Sequence, residues 1–341
     1  MSDVSRRDVL KAGGAVLCAV AAGRAAAVPA RATATASGVA PNAVAGAARA
    51  GKLTLGGDLV LNRIGFGAMR IAPGETSGRP DPTAAEATRV LRRAVDLGVN
   101  LIDTAGVYGQ GQGEERIRAA LYPYPKDLVI ATKGGWLRPS MDASAMDGSP
   151  GYLRAACEAS LRRLGLERID LFQFHIPDPK VPLEDSIGEL ARLRDAGKIR
   201  HIGVSNVDLA QLERARRVTT IVSVQNAYNV GYRASEEVLR YCETHGLAFL
   251  PWAPLTQDLG SGRLPGPPPE RRLDPADGYE ARMAQVQARH GLSRQQAAIA
   301  WLMTHSARIL PIPGTASLEH LEANIAAAAV RFSPEEMRAI G

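Results

Sequence analysis

Eight short apolar runs, each ending in small or polar residues and each separated from the next by a stretch of helical period, constrain this 341-residue chain most. They cover residues 64–68, 100–105, 128–133, 169–175, 199–205, 221–228, 247–252 and 309–314. Between the first two, residues 84–97 put Val90, Leu91, Ala94, Val95 and Leu97 on one helix face. Gly98, Gly165, Gly197 and Gly246 stand where helices should stop and return to a strand. Such alternation implies parallel strands with right-handed crossovers, and eight units close a single (β/α)8 TIM barrel. A doubly wound open sheet would want a third glycine and a helix after Gly65-Phe66-Gly67-Ala68-Met69, and the sequence supplies neither. A short N-terminal β-hairpin over residues 54–61, turning at Gly56-Gly57, precedes the barrel.

The chain begins differently. Arg6-Arg7 is followed by a mild apolar stretch from Ala12 to Ala22 and by small-residue cleavage options at Ala25-Ala26-Ala27 and Ala34-Thr35-Ala36. That order resembles a twin-arginine export signal. Cys18 follows Leu17 rather than a small residue, which argues against a lipoprotein anchor. The expected organisation is a signal peptide over 1–36, a linker over 37–51 and the barrel over 52–341. Export would place the protein in the periplasm or outside the cell, with the twin-arginine machinery as a partner. A non-functional leader would leave it cytoplasmic.

Charge bears on partners. Of the formal net charge of +6, four units fall in the first 50 residues, where Arg6, Arg7, Lys11, Arg24, Arg31 and Arg49 face Asp3 and Asp8. The rest is nearly balanced and has no basic stripe interleaved with aromatics, so no nucleic-acid partner is expected. No run approaches the roughly 20 apolar residues that span a bilayer, so no stable membrane insertion is expected. Cys157 and Cys242 lie in predicted helices without metal-ligand spacing and read as buried free thiols; no metal is expected.

In such barrels active sites assemble at the carboxyl ends of the strands. The second run ends at Asp103, with Tyr108 five residues on, the third ends at Lys133, and the fourth at His175. Each polar group closing an apolar strand costs burial energy unless the groups pair. Together they read as proton-transfer machinery. Asp103 would hold Lys133, whose ammonium would lower the proton affinity of the Tyr108 phenol. His175 would orient a carbonyl oxygen, and Tyr108 would protonate it.

These four residues resemble the catalytic tetrad of the aldo-keto reductases. The resemblance spans roughly residues 53–340, through Gly203-Val204-Ser205-Asn206, Val224-Gln225-Asn226-Ala227-Tyr228-Asn229, Pro251-Trp252-Ala253-Pro254-Leu255 and Ile312-Pro313-Gly314-Thr315. The segments Leu121-Tyr122-Pro123-Tyr124-Pro125 and Ala131-Thr132-Lys133-Gly134-Gly135 look closest to bacterial, pyridoxal-reductase-like members. The resemblance implies NADPH-dependent reduction of an aldehyde or ketone to the alcohol. It also implies that Ser205, Asn206 and Gln225 hold the nicotinamide carboxamide and that Trp252 stacks on the ring. Leu255, Gly314, Thr315, Ser317, His320 and Asn324 would complete the cofactor site. Many relatives carry Lys at the Gly314 position and Arg at the His320 position, so NADH remains possible here.

Two loops lie at the catalytic face: 134–151, whose Trp136 is a candidate wall of the substrate pocket, and the Pro- and Gly-rich 256–278, which either closes over the cofactor pyrophosphate or is a variable surface loop. Two other readings compete. One is an NADPH-binding redox-sensing or scaffolding barrel with little turnover; the other is a lyase using Lys133 as a Schiff base.

Overall fold

A computed structural model describes residues 46–75, 80–137, 145–255 and 278–341. The expected signal peptide with Cys18, most of the expected linker and residues 256–277 of the second loop lie outside the described residues. Two antiparallel strands, β1 (Lys52–Leu55) and β2 (Leu59–Asn62), form the expected hairpin, and Gly56 and Gly57 both adopt the positive φ that its turn requires. Seven parallel strands follow: β3 (Phe66–Gly67), β4 (Leu101–Asp103), β5 (Val129–Gly134), β6 (Ile169–Phe174), β7 (Ile199–Ser205), β8 (Ser223–Gln225) and β9 (Ala248–Phe249). They pair in sequence order.

Helices alternate with them. Those between strands are α1 (Ala84–Asp96), α2 (Gln112–Leu121), α3 (Pro150–Leu164), α4 (Leu183–Asp195), α5 (Leu209–Val218) and α6 (Glu236–His245). Then come α7 (Tyr279–His290), α8 (Arg294–His305), α9 (Leu318–Ala327) and α10 (Pro334–Ile340). Their starts are locally encoded. Thr83, Asp208, Ser293 and Ser333 each form a reciprocal capping box with the residue three positions on.

The eighth expected strand, 309–314, closes the barrel without a full ladder. Leu310 N donates to Phe249 O on one side, while Pro311 O and Pro313 O accept from Gly65 N and Gly67 N on the other. Pro251, Pro311 and Pro313 have no N–H, so the donors they would bring to a regular ladder are missing. For the same reason β9 is shorter than the expected 247–252. Closure is also close: a Cβ at Gly67 would lie 2.5 Å from Ile312 O, and one at Gly314 would lie 2.5 Å from Gly67 O.

The expected linker extends too far. Residues 46–51 belong to the body, where Ala47 and Ala50 are buried in a 3-10 turn, Ala47 N donates to Leu97 O (2.7 Å) and Arg331 donates to Ala50 O (2.8 Å). A Cβ at Gly46 would meet Leu97 O at 2.8 Å. The Ala/Gly composition that reads as linker is what lets this backbone approach α1.

Strand alternation then builds two interiors. Leu101, Val129, Ala131 and Leu171 face the barrel axis, and even-numbered residues such as Ile130, Phe172 and Phe174 pack under helices. The axis begins apolar, with Leu101, Val129 and Leu171 packed against Leu53, Leu55, Leu59 and Leu61 of the hairpin. The hairpin thus plugs the amino end of the barrel, and the polar residues are left for the other end. Cys157 and Cys242 are buried free thiols in α3 and α6. No helix among the described residues is long and apolar enough to cross a membrane.

Candidate active site

One residue pair further along the same strands the axis turns polar. Lys133 Nζ donates to Asp103 Oδ1 (2.6 Å) and to the backbone oxygen of Thr104 (2.8 Å). Both side chains are buried. The other carboxylate oxygen, Asp103 Oδ2, accepts from Gln225 Nε2 (2.8 Å) and Gln173 Nε2 (3.1 Å). A buried ion pair is tolerated when its remaining polar valences are filled in this way.

Tyr108 enters from the loop after β4. The chain reverses through Gly109, Gln110 and Gly111, all at positive φ, and a Cβ at Gly109 would strike Pro73 at 2.8 Å. The turn lays the phenol ring over the ammonium, with Lys133 Nζ 5.3 Å from the ring centroid. His175, immediately after β6, stands edge-on to Tyr108 (6.1 Å between centroids) and to Trp136 (4.8 Å). Its Nδ1 is buried without a hydrogen-bond partner among the described residues.

Burial, then the charge of Lys133, pushes His175 well below the usual imidazole range, so it is neutral. Burial, followed by Asp103 and Glu75, pushes the Tyr108 phenol well above its ordinary value. This corrects the expectation that Lys133 lowers it. The ammonium is compensated at 2.6 Å by Asp103, so the phenol meets a nearly neutral pair in a desolvated place. Tyr108 therefore holds its proton firmly. Burial also pushes Lys133 down, against the pull of Asp103.

A cleft of about 730 Å³ opens above this floor. Its walls include Tyr108, Trp136, His175, Ser205, Asn206, Gln225, Trp252 and Gly314, together with Met69, Arg70 and Ile312, which the sequence reading did not single out. Asn206 organises one wall. At φ 59°, a left-handed conformation that Asn tolerates, it donates to His175 O (3.0 Å) and accepts from Trp252 Nε1 (3.0 Å). That bond fixes the plane of the indole. Ser205 Oγ donates to Gln225 O (2.7 Å). Ala253, another non-glycine residue at positive φ (51°), follows Trp252.

The remaining expected residues lie outside the cleft walls. Thr315 is buried beside Gly314, and its Oγ1 accepts from Ser317 N (3.0 Å). Ser317 caps α9 by accepting from His320 N (3.3 Å). His320 is exposed on the first turn, Asn324 is buried one turn on, and the half-buried Leu255 packs against a hydrophobic cluster. Trp136 is pinned by Leu137 N donating to Ala145 O (2.8 Å) and by a bridge to Met146, which ties down the base of the first loop; residues 138–144 are outside the described residues.

Gln173, which contacts Asp103, was not singled out from the sequence. Its signal was a lone amide within Leu171-Phe172-Gln173-Phe174, two residues before His175. Glu114, also buried, accepts from Thr132 Oγ1 and Arg163 Nε (2.6 Å each) on the helix side of β5 and braces that strand from behind. No cluster of metal-ligating side chains occurs among the described residues.

Comparison with known proteins agrees with this geometry. The profile of the aldo/keto reductase family matches residues 63–341. An uncharacterised oxidoreductase of Schizosaccharomyces pombe is 42% identical over 290 residues, covering 85% of this chain and 88% of the relative. Pyridoxine 4-dehydrogenase of Escherichia coli is 38% identical over 282 residues, covering 81% and 92%. Among solved structures, an aldo/keto reductase from Klebsiella pneumoniae in complex with NADP and acetate superposes with a TM-score of 0.68 at 26% identity, covering 85% of this chain and 93% of that one. The chain belongs to the aldo/keto reductase family.

Proposed function

We propose that this protein reduces the carbonyl of an aldehyde or ketone to the alcohol, taking hydride from NADPH and a proton from Tyr108. The observation that carries the reading is the convergence of a protonated phenol, a compensated ammonium and a neutral imidazole at the floor of one cleft. The residues fit the cofactor. Ser205, Asn206 and Gln225 bring hydroxyl and amide groups to one wall, and Trp252, held by Asn206, turns a fixed face toward it. Thr315, Ser317 and the N-terminus of α9 suit a phosphate, with His320 exposed nearby and Asn324 in reach of an adenine. When bound, the nicotinamide supplies hydride.

The chain's own groups do the rest. Tyr108 delivers its proton to the carbonyl oxygen as negative charge builds there, and neutral His175 orients that oxygen. Lys133 then faces the phenolate that is left. Asp103 and Thr104 hold Lys133 in place. A Schiff-base role for Lys133 is disfavoured, because the amine is buried beneath Asp103 and does not line the cleft.

NADPH is favoured by the helix terminus and His320, and by the NADP complex of the Klebsiella pneumoniae relative. A lysine at position 314 would require the backbone to shift, since its Cβ would lie 2.5 Å from Gly67 O. NADH is therefore the weaker alternative rather than an excluded one. A panel of aldehydes and ketones, run with NADPH and NADH deuterated at the transferable position, tests the reading. Deuterium should appear on the carbinol carbon. Tight NADPH binding without transfer to any carbonyl would instead indicate a scaffolding or redox-sensing barrel.

We also infer that the protein is exported folded by the twin-arginine machinery, on the support of Arg6-Arg7, the apolar stretch and the small-residue sites after it. Folded export would let cofactor load in the cytoplasm. N-terminal sequencing of the mature protein should find residues 1–36 removed; an intact Met1 would refute this.

A further inference from the structure

We propose that Gln173 is a positioning residue for carbonyl reduction: together with Gln225 it holds Oδ2 of Asp103, so that Oδ1 stays aimed at Lys133 beneath the Tyr108 phenol. The proposal rests on the reductase reading above.

A carboxylate held at one oxygen turns freely about its last bond, because that torsion is broad. Held at both oxygens, its plane is set. Oδ1 belongs to Lys133, and Oδ2 takes two amide donors, Gln225 at 2.8 Å and Gln173 at 3.1 Å. The two amides are not equivalent. Gln225 lines the cleft, where cofactor would compete for it, whereas Gln173 is fully buried and lies outside the cleft walls. Its hold on Asp103 is thus independent of what occupies the cleft.

The barrel makes room for this amide. Gln173 pairs in register with Lys133 on one side and Gly203 on the other. A Cβ at Gly203 would lie 3.0 Å from Gln173 Cγ and 2.3 Å from Ser223 Oγ. The absent side chain on β7 lets Gln173 extend across the axis toward β4. An inward residue with only packing to do would be apolar, as Leu171 is one step below. Gln173 instead leaves Oε1 buried without a hydrogen-bond partner among the described residues, a cost that packing does not explain.

The consequence falls on Lys133. The ionisable groups around it are Asp103, Tyr108, His175 and, through β5, Glu114. Burial opposes its charge and Asp103 is the chief compensation. Without Gln173, Oδ2 keeps only Gln225, and a carboxylate held more loosely compensates Lys133 less.

The test uses Gln173→Met, which keeps length but removes the donor, and Gln173→Glu, which keeps shape but adds a charge. The Lys133 midpoint is followed by carbon-13 NMR of labelled lysine in the cofactor-free full-length protein, the signal assigned by its loss in Lys133→Met. It should fall by about one pH unit in Gln173→Met and rise by a similar amount in Gln173→Glu. In both, kcat for carbonyl reduction should drop about 10- to 100-fold while KM and the fluorescence-determined NADPH Kd stay within about twofold. Shifts of the same sign in the two variants, no shift, or an unchanged kcat would overturn the proposal. If Gln173→Met does not fold, the upward shift and kcat loss in Gln173→Glu decide alone. A wild-type protein that reduces no carbonyl would refute the reductase reading, while the NMR titration would still decide the placement of Gln173.

Discussion

The two ends of the barrel axis are made by the same strands and differ by a single step of two residues. At the amino end Leu101, Ala131 and Leu171 face inward and pack on the hairpin leucines. One step on, Asp103, Lys133 and Gln173 face inward and bind one another. The apolar layer is held by dispersion and water exclusion, which tolerate small rearrangement. The polar layer is held by a few directional bonds in a desolvated place, where losing one partner leaves another exposed to the full cost. Apolar packing and the proposed chemistry are therefore separated along the axis, and substitutions should divide the same way.

The sharpest test of that division is Tyr108→Phe. It removes the proton donor and leaves the packing, so kcat should fall by roughly 10²–10⁴-fold with thermal stability nearly unchanged. Near-normal turnover would remove Tyr108 from its role. Lys133→Met should breach the division, because it strands Asp103 in the barrel. We expect a loss of about 3–5 kcal/mol in urea unfolding together with loss of turnover. Leu171→Ala, one layer down, should cost about 2–4 kcal/mol of stability while KM and kcat at 25 °C stay within a few-fold. A large kcat defect there would show that the layers are coupled.

The smallest effect concerns pH. His175 is neutral when folded and binds a proton in the unfolded chain below its ordinary value near 6.5. The unfolded state thus takes up protons first, and stability falls as pH drops below about 6.5. Between pH 7 and pH 5 the wild-type protein should lose about 1–2 kcal/mol more than His175→Gln. Equal losses would mean that His175 is not sealed from solvent.

Much of this was legible beforehand because it is local. Alternation of strand and helix and the glycines at helix ends act within a few positions of themselves. The convergence of Asp103, Tyr108, Lys133 and His175 was legible for a related reason, since ionisable groups at the ends of apolar strands have few structural uses. The contact of Gln173 was not legible, because its partner Asp103 is 70 residues away and is reached only when β4, β5 and β6 lie side by side. The proton affinity of Tyr108 was misjudged for the same reason. A neighbouring cation was inferred, but how completely Asp103 compensates it depends on a distance.

The amino-acid sequence by itself determined the order of elements, the polar endings of the strands and the family to which the chain belongs. Tertiary structure alone decided that three prolines thin the ladders where the barrel closes, that an alanine-rich stretch docks rather than links, and that burial raises the proton affinity of the phenol. The physical reason is range. Propensity and periodicity are written over a handful of residues, whereas desolvation and charge compensation exist only once distant segments exclude water together.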